Sequence, residues 1–297
     1  PVEIIGGSDT NIVEQLSNTN SAKKFNNLNN FKSNYKVKLL VSGGKKGAFQ
    51  GLGITSVVIP NSVIRIDHNA FSYNQLASII IPNNVTTIGF AAFCDNQLTS
   101  VTIPNSVAKI SERAFNNNKL PDNQAFIYKR TDANNDGVAE IDNTTIISYG
   151  GINKEVVIPN NVTTIGDAAF YNNQLTSVIM PDSITTIGKS GFYKNELISI
   201  IVPDSVTTIG ESAFQNNQLT SITIGNGIKY IEYTAFEKDP VSNPNLSKIT
   251  INKSCVDIKN IPSSSTDTTK YYPWLSNGSW HKPTGVTIYG SNNEVCD

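Results

Sequence analysis

Charge is scarce in this chain. Its 297 residues carry 23 Lys and Arg against 24 Asp and Glu, a net charge of −1, and charged residues make up only 16%. An average soluble domain has about 25%. Without a basic excess, nucleic acid is an unsuitable partner, and without an acidic block there is no solvating tail. Asn, Ser and Thr take the place of charge. Such a surface binds by hydrogen bonds and shape rather than by long-range steering. Long apolar runs are missing too, and no stretch approaches the ~18 residues that a membrane-spanning helix needs. Residue 1 is Pro, so a secretion signal is not expected to be visible among these residues.

Reactive groups are equally sparse. The two histidines are His68 and His281, and a repetitive fold places them many units apart. His68 falls where other repeats carry Phe, Glu, Asp, Lys or Tyr, a variable and exposed position. No Cys-x-x-Cys or His-x-x-x-His metal spacing occurs. Gly6-Gly7 and Gly43-Gly44 lack the context of a phosphate loop. Acidic pairs such as Glu237 with Asp239 read as solvated charge. The residues therefore offer no catalytic constellation. The three cysteines are Cys94, Cys255 and Cys296. The last two form either a disulfide, suited to an oxidising compartment, or two unrelated buried thiols.

What the chain has in abundance is repetition. Phe recurs every 22 residues at Phe49, Phe71, Phe93 and Phe115, and again at Phe170, Phe192, Phe214 and Phe236. The step of 55 between Phe115 and Phe170 is one unit plus an insertion of 33 residues. Other columns travel with the Phe. Five residues on stands Leu or Ile (Leu76, Leu98, Leu175), then an alternating apolar pair such as Ile79 and Ile81, then Pro, then Val-Thr-Thr-Ile and Gly. The alternating run is a strand with one buried face, and Pro ends it because it donates no ladder bond. The β-branched Val-Thr-Thr-Ile is a second short extended run. Gly89, Gly166, Gly188 and Gly210 are expected to permit a turn. An Asn three residues after six of the eight Phe (Asn74, Asn96, Asn118, Asn173, Asn195, Asn217) is expected to satisfy backbone groups at the bends. One unit cannot bury its own apolar face, so the units must stack into a solenoid.

These columns resemble the BspA-like leucine-rich repeat family over about residues 46 to 252. The resemblance implies a leucine-rich repeat solenoid, a β-rich α/β repeat with a parallel sheet of stacked units, closed by N- and C-terminal caps. It also implies secreted or cell-surface bacterial proteins, often adhesins. The first unit departs from the pattern, with Gly43-Gly44-Lys45-Lys46 in place of Thr-Ile-Gly.

Residues 1–45 read as an N-terminal cap. Helical spacing of Ile12, Val13, Leu16, Phe25 and Leu28 follows Ser8 or Asp9 as N-cap, and an edge strand covers Val37 to Val41. Residues 253–297 read as a C-terminal cap, with Tyr271, Tyr272, Trp274 and Trp280 before a strand-like Val286 to Tyr289. Those aromatics have a second reading as a carbohydrate or partner platform. The insertion, residues 121–154, holds two strand-like segments, Ala125 to Lys129 and Thr144 to Tyr149. Between them Asp132, Asn134 and Asp136 precede Gly137. Oxygen ligands at alternate positions before a Gly resemble a calcium loop, which Glu140 or Asp142 would complete. Asn143 at the twelfth position, strand flanks and Asn-Asp-Gly read instead as a plain hairpin turn.

Strand alternation turns every second side chain away from the core. The outward columns are Ser78, Ser100, Ser177 and Ser199 beside Ile80, Thr102, Ile179 and Ile201. Either they support the sheet, or they bind a partner. The reading is a non-catalytic secreted or cell-surface module that adheres to an extracellular protein or glycan through this face. The alternative is a scaffold or targeting domain of a larger secreted enzyme or toxin.

Overall fold

The computed structural model describes residues 37–39, 47, 49–134, 136–232, 234–237, 241–255, 257 and 286–296. The helical spacing expected within 8–31, the Gly43 to Lys46 departure, His281 and the Tyr271 to Trp280 cluster lie outside the described residues. The chain divides into two compact units, residues 1–142 with 147–152, and residues 143–146 with 153–297. Each is a stack of solenoid coils.

The first unit contains β1 (Val37–Leu39), β2 (Val63–Ile66), β3 (Ser78–Ile80), β4 (Thr87–Ile88), β5 (Ser100–Thr102) and β6 (Lys109–Ile110). β1, β2, β4 and β6 form one parallel ladder and β3 with β5 a second. One helical turn, Asp122–Ala125, leads into a hairpin of β7 (Phe126–Thr131) and β8 (Glu140–Tyr149). Its strands run closer to the turn than the sequence pattern marks, because the alternation fades among the exposed residues there.

Residues Thr145 and Ile146 of β8 open the ladder of the second unit. That unit holds β9 (Glu155–Val157), β10 (Thr164–Ile165), β11 (Ser177–Ile179), β12 (Thr186–Ile187) and β13 (Ser199–Val202). It continues through β14 (Thr208–Ile209), β15 (Ser221–Ile224), β16 (Tyr230–Ile231), β17 (Lys248–Ile251) and β18 (Thr287–Tyr289). The Val-Thr-Thr-Ile runs pair in parallel, Thr145 with Thr164, then Thr186, Thr208 and Tyr230. On another side β9 pairs with β11, and β13, β15, β17 and β18 pair in order.

A 22-residue register puts each side chain on its counterpart one coil along. Phe49, Phe71, Phe93 and Phe115 stack with ring centroids 5.3–5.5 Å apart. In the second unit Phe170, Phe192, Phe214 and Phe236 stack at 4.9–5.4 Å. The rings are nearly parallel and offset, a favourable aromatic arrangement. Beneath them the Asn column does what its position predicts. Apart from Asn173, whose amide donates to the Tyr171 carbonyl, each amide N–H2 donates to two Phe carbonyls, one on its own coil and one on the preceding coil, as Asn96 does to Phe93 and Phe71. Its oxygen accepts the Leu N–H of the preceding coil, as Asn96 does from Leu76. At the end of the first column Ser148 substitutes for a coil, its hydroxyl accepting from the Phe115 N–H at 3.0 Å and donating to Asn116.

The repeated glycines act differently from the turn role expected of them. Gly89, Gly188 and Gly210 are not among the residues with positive φ. They are small because the preceding coil passes against them. A Cβ on Gly210 would lie 2.6 Å from the Lys189 nitrogen, and one on Gly89 2.6 Å from the Asp67 carbonyl carbon. The left-handed positions instead flank the Phe, for example Ser190 and Lys194 around Phe192, and Ser212 and Asn216 around Phe214. Each costs about 1 kcal/mol or more in a non-glycine residue. Coil-to-coil bonds such as Ser190 N–H to Glu211 C=O at 2.8 Å hold them there. Gly210→Ala is therefore expected to destabilise by about 1–3 kcal/mol through overpacking, whereas Ser190→Gly should be neutral or mildly stabilising. Denaturant midpoints of the two variants check this, and the opposite order would refute the close-approach account.

The last strand is closed as well as paired. β18 bonds to β17 on one side. On its other edge the chain returns antiparallel, with Cys296 N–H to Ile288 C=O at 2.9 Å and Gly290 N–H to Glu294 C=O at 2.8 Å. Of the two cysteine readings, the disulfide holds: Cys255 and Cys296 are bonded, with Cα atoms 5.1 Å apart. The free edge of a stack invites a further strand, and this return occupies it.

Candidate functional site

The eight outward residues fall four in each unit, and all are exposed to solvent. In the first unit Ser78 pairs with Ser100 and Ile80 with Thr102. In the second, Ser177 follows Glu155, Ile179 follows Val157, and one coil on Ser199 and Ile201 lie beside Ser221 and Thr223. Their neighbours Ile79, Val178 and Ile200 are buried and Val101 is partly buried, so inward and outward positions alternate. The second unit shows an unbroken apolar row, with Val157 65%, Ile179 60% and Ile201 71% exposed. Beneath it β9 is laddered to β11, and β13 to β15.

The structure brings Asp132, Asn134 and Asp136 together on the β7–β8 turn. Their oxygens are turned onto the turn's own backbone. Asp132 accepts from the Asp136 and Gly137 N–H groups at 3.1 Å each, and Asp136 accepts from Val138 N–H at 2.8 Å. Asn134 donates to Asp136 at 3.0 Å. Gly137 takes the left-handed φ of 82° that the turn requires. Among the described residues no group of three or more His, Cys, Asp or Glu side chains comes together as a metal set.

His68 is exposed beside Asp67, which also accepts from Arg65 at 3.2 Å. Cys94 is a buried free thiol that donates to Asp95 at 2.9 Å. Burial first, and the Asp95 carboxylate second, push its pKa well above the usual thiol range. It is protonated and shielded, the opposite of an activated nucleophile. Among the described residues no helix is long and apolar enough to cross a membrane.

The sequence matches the family described as BspA type leucine rich repeat region, in six copies, over residues 14–126 and 148–265. The chain belongs to this family. The solenoid of this BspA-type repeat protein is similar to solved bacterial structures. One is a leucine rich cell surface protein from Faecalibacterium prausnitzii A2-165, 30% identical, covering 65% of this chain and 52% of that one, with a TM-score of 0.50. This chain thus spans about half the length of that relative. Another is a leucine-rich repeat protein from Eubacterium ventriosum, 20% identical, covering 82% of this chain and 73% of that one, also with a TM-score of 0.50. No curated protein shows significant similarity to the chain.

Within the BspA-type pattern, the row has a member that the outward columns of the sequence did not include. Glu155 and Val157 sit on β9, in the coil that follows the insertion. Val156-Val157-Ile158-Pro159 carries the strand and Pro columns of the repeat, but Asn153 stands where Leu would be. The Pro column alone could have found it.

Proposed function

We propose that this leucine-rich repeat chain is a non-catalytic module, secreted or displayed on the bacterial surface, that adheres to an extracellular protein or glycan through its outward strand columns. The observation that carries the reading is the apolar row on the paired strands of the second unit. An exposed contiguous apolar strip with polar surroundings is costly to leave in water and typical of an interaction site, and solenoids present such surfaces along many coils. The experiment is a screen of the chain against matrix proteins and glycans. Each partner found is then tested with Ile179→Lys plus Ile201→Lys, and with Ile80→Lys plus Thr102→Lys. These side chains point outward, so the fold should survive. Loss of about tenfold or more in affinity for at least one pair is expected, as for central apolar contacts. Undiminished binding by both variants would remove the sheet face as the site.

We read the Asp132 to Gly137 turn as a self-capped hairpin turn and not as a calcium loop, since its oxygens already serve the N–H groups of the turn. Thermal melting is expected to be the same in calcium and in EDTA. A rise with calcium that EDTA abolishes would reinstate the ion site.

A further inference from the structure

The two units carry the same repeat, yet their outward faces differ in charge. After the strand, the residue following Pro is Asn61, Asn83 and Asn105 in the first unit, but Asp182 and Asp204 in two coils of the second. Before the strand, the residue preceding the Leu column is Gln75, Gln97 and Lys119 in the first unit and Glu196 in one coil of the second. In the Ser column, Glu155 replaces the hydroxyl. Glu155, Asp182, Glu196 and Asp204 are all exposed. They border the row of Val157, Ile179 and Ile201 on both sides, in the coils where that row is unbroken. Three cations lie just before these strands or at the far edge, and the four carboxylates outnumber them: Lys194 is exposed two residues before Glu196. Lys154 is close enough to feel Glu196, is half buried and donates to the Asn173 carbonyl at 2.9 Å. Lys248, at the far end of the Ser column, sits over the Tyr289 ring at 4.8 Å. The apolar row therefore has a net acidic border that the equivalent Val58 and Ile80 of the first unit lack.

We propose that the second unit's outward face docks a basic segment of a partner protein, one with aliphatic side chains interleaved with Lys or Arg. The aliphatic side chains would lie on Val157, Ile179 and Ile201, and the cations would pair with Glu155, Asp182 and Asp204. This rests on the sheet-face reading above and names the partner's chemistry. An apolar row alone accepts any apolar surface. Carboxylates on both borders select for cations and repel an acidic segment.

The test uses the full chain and fluorescein-labelled eight-residue peptides at low salt, read by anisotropy. One peptide alternates Lys with Val, a second alternates Glu with Val, and a third alternates Lys with Gly. The Lys-Val peptide is expected to bind at least tenfold more tightly than either of the others. Glu155→Ser with Asp182→Asn and Asp204→Asn should weaken it at least tenfold. Those replacements are the residues that other coils carry in the same columns, and Asn at 204 keeps the oxygen that accepts the Asn226 N–H, so the fold should be retained. A second variant, Ile179→Thr with Ile201→Thr, copies Thr102 and Thr223 and should weaken binding similarly, while Ile80→Thr should not. Equal binding of the Glu-Val peptide, or of the neutralised variant, overturns the proposal. The same variants separate this inference from the reading it rests on. A screened partner that is lost with Ile179→Lys and Ile201→Lys, but indifferent to the neutralised variant, defeats the basic-segment inference alone. A partner indifferent to every outward variant defeats both.

Discussion

Phe192→Ala is expected to lower the unfolding free energy by about 3–5 kcal/mol. The ring is fully buried between Phe170, with centroids 4.9 Å apart, and Phe214, at 5.3 Å. Removing it takes away one stacked neighbour from each and leaves a void. The coils cannot close that void, because the backbone holds their spacing: Phe170 N–H bonds to Gly191 C=O and Phe192 N–H to Ala213 C=O, each at 2.8 Å. The cost depends on how well a site collapses, and here collapse is blocked on both sides. Phe192→Leu fills most of the space and should cost much less. Guanidinium unfolding followed by circular dichroism gives the size of the effect. Hydrogen exchange should show the protection lost in the flanking coils first, since stability in a solenoid is a sum of nearest-neighbour contacts. A loss below about 1 kcal/mol would mean that the ring column is not the core of the stack.

Asn195→Ala should cost a comparable amount, for a different reason. The Asn195 oxygen accepts from Asn173 N–H at 3.1 Å and Leu175 N–H at 3.0 Å, and its N–H2 donates to Phe170 C=O at 2.8 Å and Phe192 C=O at 2.9 Å. Alanine leaves the Asn173 and Leu175 N–H groups without this acceptor in a buried bend, at about 1–3 kcal/mol for each such group, while the Phe192 carbonyl keeps the Asn217 amide at 2.9 Å. Asn195→Asp separates the two halves of the role. It keeps the acceptor but, when ionised, sets a carboxylate against the carbonyls of Phe170 and Phe192. Burial and those dipoles raise the folded-state pKa of the new carboxyl above its unfolded value of about 3.9. A raised folded pKa means that the folded state holds the proton more tightly, so stability is greatest below the unfolded pKa and is lost as pH rises through the folded one. The Asp variant should accordingly be more stable, relative to the parent, at pH 4 than at pH 7. Urea midpoints at both pH values check this, and a difference that is flat with pH would show that the amide does not sit as a donor to those carbonyls.

Much of this was legible in the residues because a solenoid repeats its local answers. The Phe and Asn columns could be placed inside from their spacing alone. The outward Ser and Ile columns could be placed outside from strand alternation. The role of glycine was not legible in the same way. A Gly in each repeat looks like a turn residue, and its true neighbour, such as Lys189 beside Gly210, is 21 residues away. The coil at β9 was hidden by Asn153 in the Leu column. The acidic border of the second unit's row involves Glu155, Glu196, Asp182 and Asp204, which lie in four different stretches of chain and come together only when coils stack.

The residues by themselves determined the coil, its length and which side chains face inward, because each follows from short-range periodicity that every unit restates. Only the tertiary structure decided that Cys255 joins Cys296, that glycine yields to a passing coil, and that the Asp132 carboxylate serves its own turn. Those outcomes depend on distances between particular atoms once the chain is folded, and a pattern of residue types carries no distances.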